Sequence, residues 1–257
     1  MEWILVCTVA FGASILTFFS GFGLGTMLTP VFLLFFPIEV AIASTGLVHL
    51  ANNIFKWFLT GKNANWEVVL KFGIPAVLAA FLGSWILMNF PEASPLFSYS
   101  LFTHEFEVFP LKLLISSLLF LFACVELLPY FKKLSFDKNK LYLGGILSGF
   151  FGGLSGNQGA LRSAFLIKFG LSKEAFIGTT ILISTAIDLS RLSVYSAKIV
   201  ELKWDTNGTL ITAAILSAIS GAFIGNKILK KVTLHFVQNM VATFLLVLSL
   251  LLGLGIV

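Results

Sequence analysis

Charge is scarce in this sequence: Asp, Glu, Lys and Arg together make up 11% of its 257 residues, against about a quarter in a soluble globular domain. With 58% hydrophobic residues, that shortage excludes a water-soluble enzyme. Disorder is excluded too, because a chain stays unfolded for want of apolar surface and here it is in excess. Cysteine is nearly absent: Cys7 and Cys124 stand alone inside apolar runs, with no neighbour at metal-ligand or redox spacing. The three histidines, His49, His104 and His235, fall in separate segments and make no metal set. No metal, cofactor or nucleic-acid partner is expected, since a net charge of +5 in a membrane chain reports orientation. A basic leader region is also missing from Met1-Glu2-Trp3, so a cleaved signal peptide is not expected.

Long apolar runs are what the chain has instead. They cover roughly 3–36, 39–60, 66–89, 110–130, 141–169, 172–197, 206–226 and 233–257, several of them near the ~20 residues that span a bilayer. The runs at 3–36 and 141–169 exceed one crossing, and each is interrupted by glycine and small polar residues. The first interruption is Ser20-Gly21-Phe22-Gly23-Leu24-Gly25-Thr26, and the second is Gly152-Gly153-Leu154-Ser155-Gly156-Asn157-Gln158-Gly159. Glycine weakens a helix interior, so both runs are expected to unwind there. Glu39 to Thr45 also resembles Lys173 to Thr179 in position and pattern. Each half thus contains one broken segment followed by three helices, the weak internal symmetry of many secondary transporters.

Orientation bears on the topology. Eight crossings would put the basic loop Lys132, Lys133, Lys138, Lys140 on the opposite side from the basic loop Lys227, Lys230, Lys231, against the positive-inside rule. Treating the broken runs as re-entrant hairpins removes the conflict and places the acidic loop with Glu92, Glu105 and Glu107 outside; a continuous, kinked first and fifth helix is the rival. The expected architecture is an all-α polytopic membrane protein of one domain, residues 1–257, built from inverted repeats 1–131 and 132–257. Each repeat is a broken hairpin plus three transmembrane helices.

Unwound backbone at membrane depth is tolerated only when buried in protein or lining a wet cavity. The two breaks should therefore meet, and the half-helices starting near Thr26 and Ala160 would aim free N–H groups and partial positive charge at a shared anion. Packing glycines or a simple kink is the structural alternative. Candidate anion contacts are Gly21, Gly23, Gly25, Thr26, Ser155, Gly156, Asn157, Gln158 and Gly159, with the amides of Asn52 and Asn53. Arg162 adds a bidentate oxyanion donor, unless it is only a cytoplasmic-facing positive charge. Thr45, His49, Asn52 or Asn53 and Lys56 share one helix face, as do Thr180, Ser184, Asp188 and Arg191. Asp188 and Arg191 are spaced for an internal ion pair, which has a functional and a purely structural reading; Arg191 could instead snorkel, leaving Asp188 as a proton carrier. Histidine is the side chain that changes charge near neutral pH, so His49 is a second coupling candidate, the alternative being a neutral, hydrogen-bonded ring.

The glycine-rich hairpins and polar helices resemble the sulfite exporter TauE/SafE family. The resemblance covers nearly the whole chain and is most specific at Gly152 to Phe165 followed by Gly178-Thr179-Thr180. The first half follows with Gly21-Phe22-Gly23-Leu24-Gly25 and Pro30 but lacks adjacent glycines. It implies a multi-pass inner-membrane transporter of small sulfur-containing anions, such as sulfite or sulfonates, with membrane lipid and the anion as partners. The runners-up are a membrane enzyme acting on a lipid or quinone, which lacks any visible nucleophile or acid–base constellation, and a non-transporting assembly subunit.

Overall fold

The computed structural model describes residues 2–18, 23–90, 94–101, 104–127, 136–166, 169–201, 207–228 and 234–256. Among these are ten α-helices: α1 (Glu2–Thr17), α2 (Leu24–Leu33), α3 (Ile38–Thr60), α4 (Trp66–Met88), α5 (Pro110–Leu127), α6 (Leu141–Ser155), α7 (Gly159–Leu166), α8 (Lys173–Glu201), α9 (Thr209–Ile228) and α10 (Leu234–Gly253). Among the described residues, four stretches, Ile38–Asn63, Trp66–Met88, Lys173–Ser196 and Thr209–Lys227, are long and apolar enough to cross a membrane.

Helix α6 stops because Gly156 adopts φ 78°, a left-handed conformation that glycine takes without penalty. Its N–H closes the last turn on the Gly152 carbonyl at 3.0 Å. The chain then reverses. Ser148 on α6 donates to the Gln158 carbonyl at 2.8 Å, and one helix end further on a β-carbon at Gly144 would strike the Phe165 ring. Helices α6 and α7 therefore form an antiparallel hairpin, which a continuous kinked helix would not. Helices α1 and α2 likewise pack on each other, and Gly23, at φ 114°, caps the start of α2.

Packing directions follow from glycine contacts. β-Carbons at Gly145, Gly149 and Gly153 of α6 would overlap the carbonyls of Phe72, Ala76 and Ala80 on α4, so these two helices run parallel with their backbones touching. On α9, Gly221 meets the Phe11 carbonyl and Gly225 the Ile15 carbonyl, so α9 runs parallel to α1. Helices α3 and α8 are antiparallel, with Gly46 beside Leu192 and Gly178 beside Thr60; α5 and α10 are antiparallel too, with Gly253 beside Ser116. Exchanging α1–α5 for α6–α10 turns the α4–α6 contact into α9–α1 and α4–α8 into α9–α3, and both members of each exchange are present.

The exterior is apolar where a soluble protein would be polar. On α4, Leu70, Ile74, Leu78, Phe81 and Trp85 are exposed, while Ala76, Ala80 and Gly83 are buried. This face suits lipid, and the small residues suit close helix contact. Exposed Trp66 and Trp85 bracket α4, about 28 Å apart at the helical rise, close to the ~30 Å hydrocarbon thickness and in the place of an interfacial aromatic belt. By helix direction, Lys62, Lys71, Lys140, Lys173 and Lys227 gather at the Trp66 end, whereas Glu2, Glu39, Glu105, Glu107 and Lys112 lie at the Trp85 end.

One element differs from the expected acidic loop. Phe97–Leu101 and His104–Val108 pair as an antiparallel two-stranded hairpin, from Phe97↔Val108 to Leu101↔His104. Stacked Tyr99 and Phe106, 5.4 Å apart, hold it together, and Tyr99 Oη donates to the Leu254 carbonyl at 2.7 Å, tying it to the end of α10.

Candidate functional site

The two breaks meet inside the protein. A β-carbon at Gly25, in the first turn of α2, would lie 3.3 Å from the Gly156 carbonyl oxygen and 3.8 Å from His49 Cδ2. One at Gly156 would lie 3.2 Å from Thr29 Oγ1 and 3.3 Å from Arg191 Nη1. Glycine at both positions thus lets two half-helices and two polar helices approach one point. All of α2 is buried, so the backbone N–H groups of its first turn face protein and not lipid, as an interrupted segment at membrane depth requires.

Helices α3 and α8 cross at this point through a four-residue network. Asp188 is fully buried. Its Oδ2 lies 2.6 Å from His49 Nδ1 and accepts from Asn53 Nδ2 at 3.1 Å; its Oδ1 accepts from Arg191 Nε at 3.0 Å and lies 2.8 Å from Arg191 Nη2. A carboxylate is an acceptor only, so His49 donates through Nδ1 and its Nε2 remains the nitrogen that can gain a proton. Asp188 and Arg191 compensate each other's charge, which a buried ion demands.

Second-break side chains leave polar atoms unused. Asn157 Oδ1, both Gln158 amide atoms, Thr29 Oγ1, Thr45 Oγ1 and Arg191 Nη1 are buried without a hydrogen-bond partner among the described residues. Buried groups in native proteins are overwhelmingly bonded, so such a cluster marks a place where water or a ligand binds. Arg162, buried on α7, donates through Nη1 to Ser184 Oγ at 2.6 Å. Beside these groups is a cavity lined by Thr17, Phe18, Leu24, His49, Asn53, Lys56, Ile181 and Ser184, with free space for about one water molecule. The arrangement offers several hydrogen-bond donors and the Arg162 guanidinium to an oxygen-rich anion, next to a hydrogen-bonded imidazole–carboxylate pair.

The sequence model of the Sulfite exporter TauE/SafE family matches residues 6–252, nearly the entire chain. The chain belongs to the TauE/SafE family. It is therefore a multi-pass membrane transporter of the sulfite exporter type. Comparison with curated proteins and with solved structures returns no match.

In this TauE/SafE protein the residues singled out in the sequence fall into three groups. Gly23, Gly25, Thr26, His49, Asn53, Ser155, Gly156, Asn157, Gln158, Gly159, Arg162, Asp188 and Arg191 are all buried, and the contacts above join Gly25, His49, Asn53, Gly156, Asp188 and Arg191 directly. Gly21 lies outside the described residues, as do Glu92, Lys132, Lys133, Lys230 and Lys231. Asn52 is occupied elsewhere: with its amide oriented to satisfy all neighbours, the nitrogen donates to Ser14 Oγ at 3.0 Å and the Ala218 carbonyl at 3.1 Å. It ties α3 to α1 and α9. Two side chains in the polar stripes, Lys56 and Ser184, line the cavity, although nothing in their spacing sets them apart from the rest of the stripe. Tyr195 was not singled out at all; it donates to the Gly153 carbonyl and braces α8 against α6.

Proposed function

We propose that this protein is a secondary transporter that exports small sulfur-containing anions, sulfite or sulfonates, across the plasma membrane in exchange for protons. The observation that carries the reading is the approach of Gly25 to Gly156, which brings the start of one half-helix to the break of the other. In the proposed cycle the anion is held by backbone N–H groups at Gly23 to Thr26 and Gln158 to Ala160, by the Asn157 and Gln158 side chains, and by Arg162. Oxygens of a sulfur oxyanion match these donors, and the guanidinium adds charge.

Residues 1–131 and 132–257 act as inverted repeats in this reading, each a re-entrant hairpin and three crossings. Support comes from the contact exchange between α1–α5 and α6–α10 and from the antiparallel α3–α8 and α5–α10 pairs. Rocking of one repeat against the other would open the site alternately to each side. The lysine-rich end faces the cytoplasm by the positive-inside rule. His49 Nε2 or Asp188 takes up the coupling proton: at Asp188 it removes the charge that compensates Arg191, at His49 it turns the contact with Asp188 into an ion pair, and either change shifts the balance between outward and inward states.

Two measurements test this. Thermal stabilisation of the purified protein across an anion panel should be selective for sulfite and sulfonates over chloride or nitrate, because a ligand that binds only the native state stabilises it. In proteoliposomes, anion flux should follow an imposed pH gradient, and the His49→Ala/Asp188→Asn variant should lose that response. Unchanged gradient dependence in the variant would remove both residues from the coupling role.

A further inference from the structure

Shifted by one residue from the match of Glu39–Thr45 with Lys173–Thr179, the polar faces of α3 and α8 correspond at one spacing: Thr45 with Thr180, His49 with Ser184, Asn53 with Asp188, and Lys56 with Arg191. The correspondence breaks at charge balance. Arg191 has a carboxylate three residues before it, and Lys56 has the neutral amide of Asn53 in that place. Among the described residues no carboxylate oxygen lies within 4.0 Å of Lys56 Nζ. Its contacts are the Asn52 side-chain oxygen at 3.1 Å and the face of the Phe18 ring at 5.5 Å. Lys56 is nonetheless buried, 5% exposed, and lines the cavity with His49, Asn53 and Ser184.

A buried ammonium without a counter-ion is costly, so Lys56 keeps its charge there only when an anion matches it, as Asp188 matches Arg191. The cation also stands in a particular place. Arg191 lies beside Gly46, and Lys56 is ten residues further along α3, about 15 Å at the helical rise, on the Lys62 side of the Asp188 network. Ser184, on the same cavity wall, accepts from Arg162 at 2.6 Å, which leaves its hydroxyl hydrogen to donate. An ammonium and a hydroxyl backed by a guanidinium make an oxyanion site that is short of one negative charge.

Resting on the transport reading above, we propose that Lys56 is the fixed counter-charge of the transported anion, forming with Ser184 an oxyanion subsite in the half of the pathway nearest the lysine-rich end. The asymmetry between Asn53 and Asp188 then has a function. Arg191 is neutralised by the protein itself, whereas Lys56 is neutralised by the cargo. The cavity, with free space for about one water, is too small for the anion in this conformation, and the anion occupies it when the hairpins part from α3. Because an ammonium is a point charge with no geometric preference among oxygens, the subsite accepts sulfite and alkyl sulfonates alike, and selection against other anions falls to the backbone and side-chain donors at the breaks.

The test uses the full chain in detergent, with sulfite and methanesulfonate as probes and thermal unfolding as readout. The variants are Lys56→Gln, which keeps a donor toward Asn52, and Lys56→Arg, which keeps the charge; Lys56→Met repeats the measurement if the Gln variant does not fold. The expected result is a Kd at least about tenfold weaker in Lys56→Gln and within about threefold of wild type in Lys56→Arg. A structural lysine would instead change the anion-free melting temperature and leave Kd unaltered. If the wild type responds to the anions and Lys56→Gln binds them equally well, the subsite is refuted and the transport reading stands. If the wild type responds to no sulfur oxyanion, both fall.

Discussion

Replacing Asp188 tests the central network most sharply. Its two oxygens meet His49 at 2.6 Å, Asn53 at 3.1 Å and Arg191 at 3.0 and 2.8 Å, and neither Asp188 nor Arg191 has any solvent exposure. Asp188→Asn keeps the shape and removes the negative charge, so the Arg191 guanidinium stays buried without compensation. Breaking a buried pair from one side costs about 3–5 kcal/mol. Arg191→Met strands the carboxylate with His49 and Asn53 and should cost a similar amount. Removing both charges together eliminates the stranded ion, leaving chiefly lost hydrogen bonds of about 1 kcal/mol each. The double variant should therefore be more stable than either single one. Reversible unfolding in mixed micelles, followed as a double-mutant cycle, reads this directly. Additive costs, with the double variant the least stable of the three, would show that the pair is not coupled and would refute the compensated-ion reading.

Two further substitutions probe the backbone geometry. Gly149→Val drives a side chain into the Ala76 carbonyl, where neither backbone can yield cheaply; overpacking of this kind costs about 1–3 kcal/mol, to be seen as a lowered melting temperature and weaker α4–α6 crosslinking between introduced cysteines. Gly156→Ala forces a side chain into a left-handed conformation at φ 78°, costing about 1–2 kcal/mol, and it places a methyl 3.2 Å from Thr29 Oγ1 and 3.3 Å from Arg191 Nη1. Anion binding, measured by titration calorimetry, should weaken in Gly156→Ala and remain close to wild type in Gly149→Val.

The hairpins were legible in the sequence because glycine clusters inside overlong apolar runs have few other uses at membrane depth. The charge asymmetry was legible too, since lysines at Lys62, Lys71, Lys140, Lys173 and Lys227 follow from helix order alone. The two-stranded hairpin was not. Phe97-Ser98-Tyr99-Ser100-Leu101 alternates, but His104-Glu105-Phe106-Glu107-Val108 carries three polar residues in five, and the pair is held by the Tyr99–Phe106 stack and by the distant Leu254 carbonyl. Asn52 and Asn53 were equivalent candidates in sequence. One residue step turns a helix by about 100°, which sends Asn53 to Asp188 and Asn52 to Ser14 and Ala218. The His49–Asp188 contact joins residues 139 apart, a pairing only the crossing of α3 and α8 creates. The same crossing turned Lys56 from one more polar residue into a cavity wall.

Counterflow of radiolabelled sulfite in proteoliposomes tests sulfur-anion transport most directly. Vesicles containing the wild-type protein and loaded with unlabelled sulfite should accumulate label transiently, well above protein-free vesicles, and excess methanesulfonate should suppress the signal. Label uptake equal to that of empty vesicles, for sulfite and sulfonates alike and in either orientation of the protein, would contradict it.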